Sequence, residues 1–195
     1  MIIKKLQNTL QSKEMLEKHF LEDITEHDRY LRFGYNASDS NIKEYLARAL
    51  KDYSKRNMWF VAIAGDRIVA ACHVAKSDST AELGLSVSSD YRGHGLGQDI
   101  FSRGILWAKS YGVKSVFMQC LSENKAVQHI AKKNNMVVVT SGPDSEASIK
   151  IESSPFTSAM ADAIMDNIAV YDSSLKNQEY ILNRIFNLFN PFFKE

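Results

Sequence analysis

The chain is poor in the residues that staple, punctuate or strongly charge a protein. Two cysteines in 195 residues cannot build a disulfide framework. Cys72 lies in the apolar run IVAACHVA and Cys120 in SVFMQCL, which predicts buried, reduced thiols. His73 directly follows Cys72, and successive side chains of a strand point to opposite faces, so the two cannot share a metal and no metal site is expected. Lys and Arg number 24 against 23 Asp and Glu. Mixed along the chain, they leave no footprint for a nucleic-acid backbone, and nucleic acid is not expected as a partner. No apolar run reaches the roughly 18 residues of a membrane span, and the start MIIKKLQNTLQSKEM has no secretory apolar core. These absences predict a soluble, cytoplasmic protein without a membrane partner.

What is present is enough apolar residue, 45% of the chain, for the core of one ordinary domain and a small appendage. MIIKKLQ reads as a short strand. SKEMLEKHFLE places Met15, Leu16, Phe20 and Leu21 at helical spacing behind Ser12 as a cap. After a loop around Gly34 to Ser40, Ile42, Tyr45, Leu46, Ala49 and Leu50 line one side of a helix capped by Ser38 or Ser40. WFVAIA and RIVAACHVA flank a Gly65-Asp66 turn, the pattern of an antiparallel hairpin. AELGLSV alternates Leu83, Leu85 and Val87 with Glu82, Gly84 and Ser86, so one face of that strand is small and carries one carboxylate. A helix with Leu96, Ile100, Trp107 and Tyr111 follows and ends at Gly112. SVFMQCL, MVVVT and ASIKI read as strands, with ENKAVQHIAKKNN as an amphipathic helix after the first. The order is strand, two helices, three strands, helix, strand, helix, two strands, a mixed α/β pattern.

Between strand and helix stands DYRGHGLGQDI, Asp90 to Ile100, with glycines at 93, 95 and 97. A helix N-terminus behind exposed loop amides favours an anion, and phosphate is the natural guest. A dinucleotide fingerprint needs G-x-G-x-x-G, and here the third glycine comes one residue early. No G-K-[S/T] follows, which excludes a Walker loop. Tight packing of the helix on its strand is the competing explanation for the glycines.

The frame V-x-x-x-x-R-x-x-G-x-G, Val87 to Gly97, resembles the acyl-CoA-binding motif of the GNAT N-acetyltransferases, and the element order resembles theirs over residues 1–152. DRYLRF, Asp28 to Phe33, with AELGLSVSSDYRGHGLG is similar to the catalytic domain of bacterial Pat-like protein-lysine acetyltransferases. The resemblance implies a mostly antiparallel sheet that splays after its fourth strand, flanked by helices. It implies that the backbone of Arg92, Gly93, His94, Gly95, Leu96, Gly97 and Gln98 cradles the pyrophosphate of acetyl-CoA. Backbone at Leu85 and Val87 would pair with the pantetheine arm and polarise the thioester. Asn124 fits the asparagine that opens the family's later helix. Asn135 and Met136 replace its closing glycine and phenylalanine, and Ala131 occupies the position of the tyrosine that protonates the departing thiolate.

Attack of an amine on a thioester needs a base, and by the same resemblance Glu82 is the catalytic one. A surface ion pair is its structural alternative. His73 is the second candidate base, with a packed histidine as the alternative. His94 points to solvent, Arg92 either helps neutralise phosphate or is solvated, and Tyr30, Arg32 and Phe33 form part of the substrate wall or pack the loop. The acceptor would be an amine-bearing small molecule, a protein lysine or a peptide N-terminus. Beyond residue 152, Pro155 opens a helix with Met160, Ile164, Ile168 and Tyr171. A second helix from Ser174 carries Ile181, Leu182, Ile185, Phe186 and Phe189. This 153–195 hairpin is expected to dock on the domain, build a homodimer or cover the acceptor site. Two functions follow: direct acetyl transfer to a primary amine, or an acyl-CoA-binding module that has lost the chemistry.

Overall fold

A computed structural model describes residues 1–53, 56–151, 159–167 and 169. The chain enters as β1 (Ile3–Lys5) and passes through α1 (Leu10–Lys18), whose last turn widens over His19–Asp23. Thr9, not Ser12, caps α1: its hydroxyl accepts the Ser12 amide at 3.2 Å. The sequence reading had two helices before the strands, and there are three. α2 (Glu26–Phe33) occupies what reads as a loop approach, held by a capping box between Thr25 and Asp28 and ended by left-handed Gly34. α3 (Asp39–Lys51) starts at Ser38, whose hydroxyl accepts from the Asn41 amide.

β2 (Asn57–Ala64), β3 (Arg67–Ser77) and β4 (Thr80–Val87) form an antiparallel meander. α4 (Leu96–Ser110) returns the chain so that β5 (Ser115–Leu121) lies parallel to β4. α5 (Lys125–Lys133), β6 (Val137–Ser141) and β7 (Asp144–Lys150) complete a seven-stranded sheet of order β1-β2-β3-β4-β5-β7-β6. All pairings but one are antiparallel, as expected.

Helices cover both faces. On one, Phe60, Cys72, Val74 and Leu83 pack against Ile100, Phe101 and Trp107 of α4. On the other, Trp59, Val61 and Ala71 pack against Leu16, Phe20, Ile42 and Leu46 of α1 and α3. β3 is thus buried on both sides, which is why its sequence reads as a nearly continuous apolar run. Cys72 is buried as expected, whereas Cys120 is half-buried, because β5 exposes part of one face. Tyr111 is the outer end of the α4 stripe and is 51% exposed, its ring tilted against buried Trp107.

The helical stretch 159–167 binds the domain through charge. Arg103 of α4, 6% exposed and 4.8 Å from the Phe60 ring centroid, is ion-paired to Asp162 and Asp166. Lys5 of β1 reaches the same two carboxylates. The start of the C-terminal helix at Pro155, Ile168, Tyr171 and the helix from Ser174 lie outside the described residues.

Two histidines are buried in the α1/α3 face. His19 Nδ1 lies 3.0 Å from the Ile68 carbonyl, which only accepts, so Nδ1 carries the proton and Nε2 accepts from the Ser86 hydroxyl at 2.8 Å. His73, stacked on Trp59, receives the Tyr45 hydroxyl on Nδ1 at 2.8 Å and donates from Nε2 to Asn57 Oδ1 at 2.9 Å. Burial pushes His19 down to about 4. Burial, aided by the Arg32 cation, pushes His73 to about 3.

Both imidazoles are therefore neutral in the fold but protonate near pH 6.5 when unfolded. Below that pH unfolding takes up protons, so stability is full above about pH 7 and falls as the pH drops toward 4. Urea unfolding at pH 7 and pH 5 should show this loss, and His19→Gln should shrink it to the part that His73 contributes. Removing one carboxylate from the buried Arg103 cluster leaves a poorly compensated cation. Asp162→Ala should accordingly cost about 3 kcal/mol by chemical denaturation at neutral pH.

Candidate active site

The sheet forks at one residue. β4 pairs with β5 only from Thr80 to Glu82, with Glu82 opposite Phe117 the last pair. From Leu83 onward β4 keeps β3 but, among the described residues, has no strand on its other side. Antiparallel strands turn alternate residues toward each neighbour. The Ser88 amide is bonded to the Val69 carbonyl on the β3 side, so the backbone groups of Leu85 and Val87 face the fork. Arg92 covers the last of them: Nε and Nη2 donate to the Val87 carbonyl at 3.0 and 2.8 Å, and Nη2 lies 2.8 Å from Asp28. Burial raises the Asp28 carboxyl, but hydrogen bonds from Arg92 and Thr25 outweigh it and hold the group below its ordinary value.

The fork opens into a groove of about 450 Å³ between α2, β4, α4 and α5. Leu85, Val87, Arg92, Gly93, Gly95, Leu96, Gly97, Gln98 and Asn124 all line it, while His94 does not and is exposed. The three glycines differ in purpose. Gly93 and Gly95 are left-handed, with φ of 80° and 83°, and a side chain at either would meet open space. They shape the loop so that α4 begins at Gly95 with no side-chain cap, leaving its first amides free for an anion. At Gly97 a Cβ would stand 3.0 Å from Ile130 and 3.5 Å from Val87, so this glycine serves close packing of α4 on α5 and β4. An anion cradle beside an unpaired strand edge fits an extended, amide-bearing ligand with phosphates at one end.

Glu82 does not line the groove. It is exposed, and marks the apex of the fork. On the same face of β4, two residues on, the Arg32 guanidinium occupies the space a side chain at Gly84 would take, its Nη2 only 1.9 Å from where a Cβ would be. Arg32 Nη2 donates to the Tyr45 hydroxyl at 2.9 Å, Tyr45 donates to His73, and His73 to Asn57. With its Nδ1 lone pair taken by Tyr45, His73 is a satisfied relay rather than a base. Ser86 donates to His19 and is likewise engaged. Arg32 and Phe33 meet Tyr45 face and edge, whereas Tyr30 stacks on His27 and takes no part in the groove.

Asn124 caps α5, accepting from the Val127 amide, and donates to the Leu31 carbonyl, so it also ties α5 to α2. Asn135 adopts φ 60°, the left-handed turn that replaces the expected glycine. Ala131 is fully buried and outside the groove. Sequence reasoning missed Asp28, His129 and Lys133 on the groove wall. Spacing of four on the exposed side of α5, opposite buried Gln128 and Ala131, was the available signal for the last two.

Three solved structures are similar over most of their length. The GNAT domain of S. lividans PAT aligns with a TM-score of 0.64 at 13% identity, covering 76% of this chain and 89% of that one. The PaiA N-acetyltransferase from Thermoplasma acidophilum, in complex with coenzyme A, aligns at 0.59 and 17% identity, covering 77% and 100%. Spermidine N-acetyltransferase from Vibrio cholerae, with CoA and spermine, aligns at 0.59 and 11%, covering 76% and 94%. No curated protein sequence matches the chain. The model of the acetyltransferase (GNAT) domain matches residues 11–137, a span that holds the fork, the cradle and Glu82, and the chain belongs to the GNAT acetyltransferase family.

Proposed function

We propose that this chain transfers the acetyl group of acetyl-CoA to a primary amine, with Glu82 as the base. The observation that carries the reading is the fork: β4 loses its neighbour at the residue whose carboxylate is needed. Leu85 and the Val87 amide offer backbone groups that an amide-bearing arm would pair with, the Val87 carbonyl joins them once Arg92 leaves it, and the amides from Gly93 to Gln98 at the start of α4 would hold the pyrophosphate. Arg92 leaves Val87 and Asp28 to meet the incoming phosphates, exchanging one anion for another. Acetyl-CoA, when bound, supplies an activated acetyl thioester and a thiolate that departs readily. Glu82 takes the proton that the acceptor ammonium must lose, directly or through a water. As the amide C–N bond forms and the thioester C–S bond breaks, the departing thiolate is left to take any proton from solvent, because Ala131 has none to give.

Residues 1–152 carry every group in this reading. Within the 153–195 extension, the described stretch 159–167 docks through Asp162 and Asp166. A second reading, a chain that binds acyl-CoA without turning it over, draws on Ala131 alone; amine-dependent release of free CoA separates the two.

Glu82→Gln should lower kcat by about 10² to 10⁴ while the KM for acetyl-CoA stays within about twofold, and unaltered turnover would remove Glu82 from the mechanism. Acetyl-CoA at about a hundred times its Kd should stabilise the protein by about 2.7 kcal/mol in thermal unfolding. Gly95→Glu, which sets a carboxylate in the cradle on a left-handed residue, should abolish that gain.

A further inference from the structure

Among the charged side chains of the groove, Arg32 and Lys133 have no ion-pair partner among the described residues; Lys133 is exposed to solvent, whereas Arg32 is half-buried. Asp28 answers Arg92, and elsewhere Asp39 answers Arg29, Asp23 answers Arg67, and Asp162 with Asp166 answers Arg103. Among the described residues no carboxylate lies within ion-pair reach of Arg32. Its sole hydrogen bond goes to the neutral Tyr45 hydroxyl, and its buried Nε has no acceptor. Desolvating a cation without a counter-charge is costly. Yet the surroundings are built to hold this one still. The Phe33 and Tyr45 rings lie 5.3 and 5.6 Å from it, and the Tyr45–His73–Asn57 relay fixes the direction of every proton behind it. The absence of a side chain at Gly84 gives the guanidinium room to lie on β4.

Its place decides what it would bind. Gly84 is two residues from Glu82 on the same face, about 7 Å along the strand, and three from Val87, about 10 Å. The guanidinium thus stands between the apex of the fork and the cradle, on the groove wall. A polycationic acceptor would meet a fixed positive charge there. A guanidinium with free N–H groups matches a carboxylate, which accepts two parallel hydrogen bonds.

Resting on the acetyl-transfer reading above, we propose that Arg32 is an acceptor-binding residue and that the acceptor is a small amine carrying a carboxylate within a few bonds of its nitrogen. An amino acid has this form, with the amine toward Glu82 and the carboxylate on Arg32. Peptide amines, whose neighbouring carbonyl is a neutral amide, and polyamines lack the matching anion.

The test compares α- and β-amino acids with their carboxamides, as ligands of the CoA-loaded protein by calorimetry and as acetyl acceptors by kcat/KM. At least one acid should bind and react at least about tenfold better than its amide, the factor expected of a charge-assisted pair. Arg32→Gln should bring that ratio close to one with acetyl-CoA affinity unchanged, and Arg32→Lys should keep part of it. Gly84→Ala reaches the same end without altering Arg32, because its Cβ displaces the flexible end of that side chain. It serves as the second variant where Arg32→Gln fails to fold. Equal binding of acids and amides, or no acid bound at all, would overturn the proposal while leaving acetyl transfer intact. Failure of the protein to bind CoA would overturn the transfer reading instead, and acid-against-amide binding to the CoA-free protein would still decide the role of Arg32.

Discussion

The structure depends on β4 parting from β5 after Glu82. Three residue pairs hold the two strands together; beyond them β4 keeps only one neighbour, and an unpaired strand edge inside a protein must be answered by something. Arg92 answers it at Val87 from within the chain. The helices on either side, α2 and α5, are tied across the gap by Asn124. What would be a defect in a closed sheet becomes a groove with backbone donors and acceptors on one wall and a helix N-terminus at its end.

Arginine chemistry organises the rest. Arg103 is buried and doubly paired, so it fastens the helix of residues 159–167 onto α4. Arg92 is paired but 47% exposed on its side chain, so its bond to Asp28 is weak enough to exchange for phosphate. Arg32 is held by neutral groups and left unpaired. On the proposed reading the first fastens, the second exchanges and the third keeps its charge for a ligand, and burial and counter-charge account for the difference.

Much of this was legible in the sequence because it is local. Alternation placed Leu83, Leu85 and Val87 opposite Glu82, Gly84 and Ser86, and the glycine frame marked the cradle. The helix over Glu26–Phe33 is not legible in the sequence although Thr25 and Asp28 spell a capping box, because α2 is only 8 residues long and buries none of them fully. The small face of β4 was noticed, but that Gly84 makes room for an arginine 52 positions earlier is a contact that periodicity does not carry. The same holds for Arg103 with Asp162 and for Arg92 with Asp28, pairs set by tertiary approach. His73 looked like a base in sequence. Its lone pair is taken by Tyr45 from another element.

The measurement that tests the central claim most directly is backbone hydrogen exchange on β4 and the loop before α4, with and without CoA. If the free edge and the cradle hold the ligand, amides of Leu85 and Val87 and those from Gly93 to Gln98 slow markedly, while the β2–β3 amides stay as they were. Slowing spread evenly over the domain, or confined to residues away from the fork, would contradict the account and leave the parting of β4 and β5 without a function.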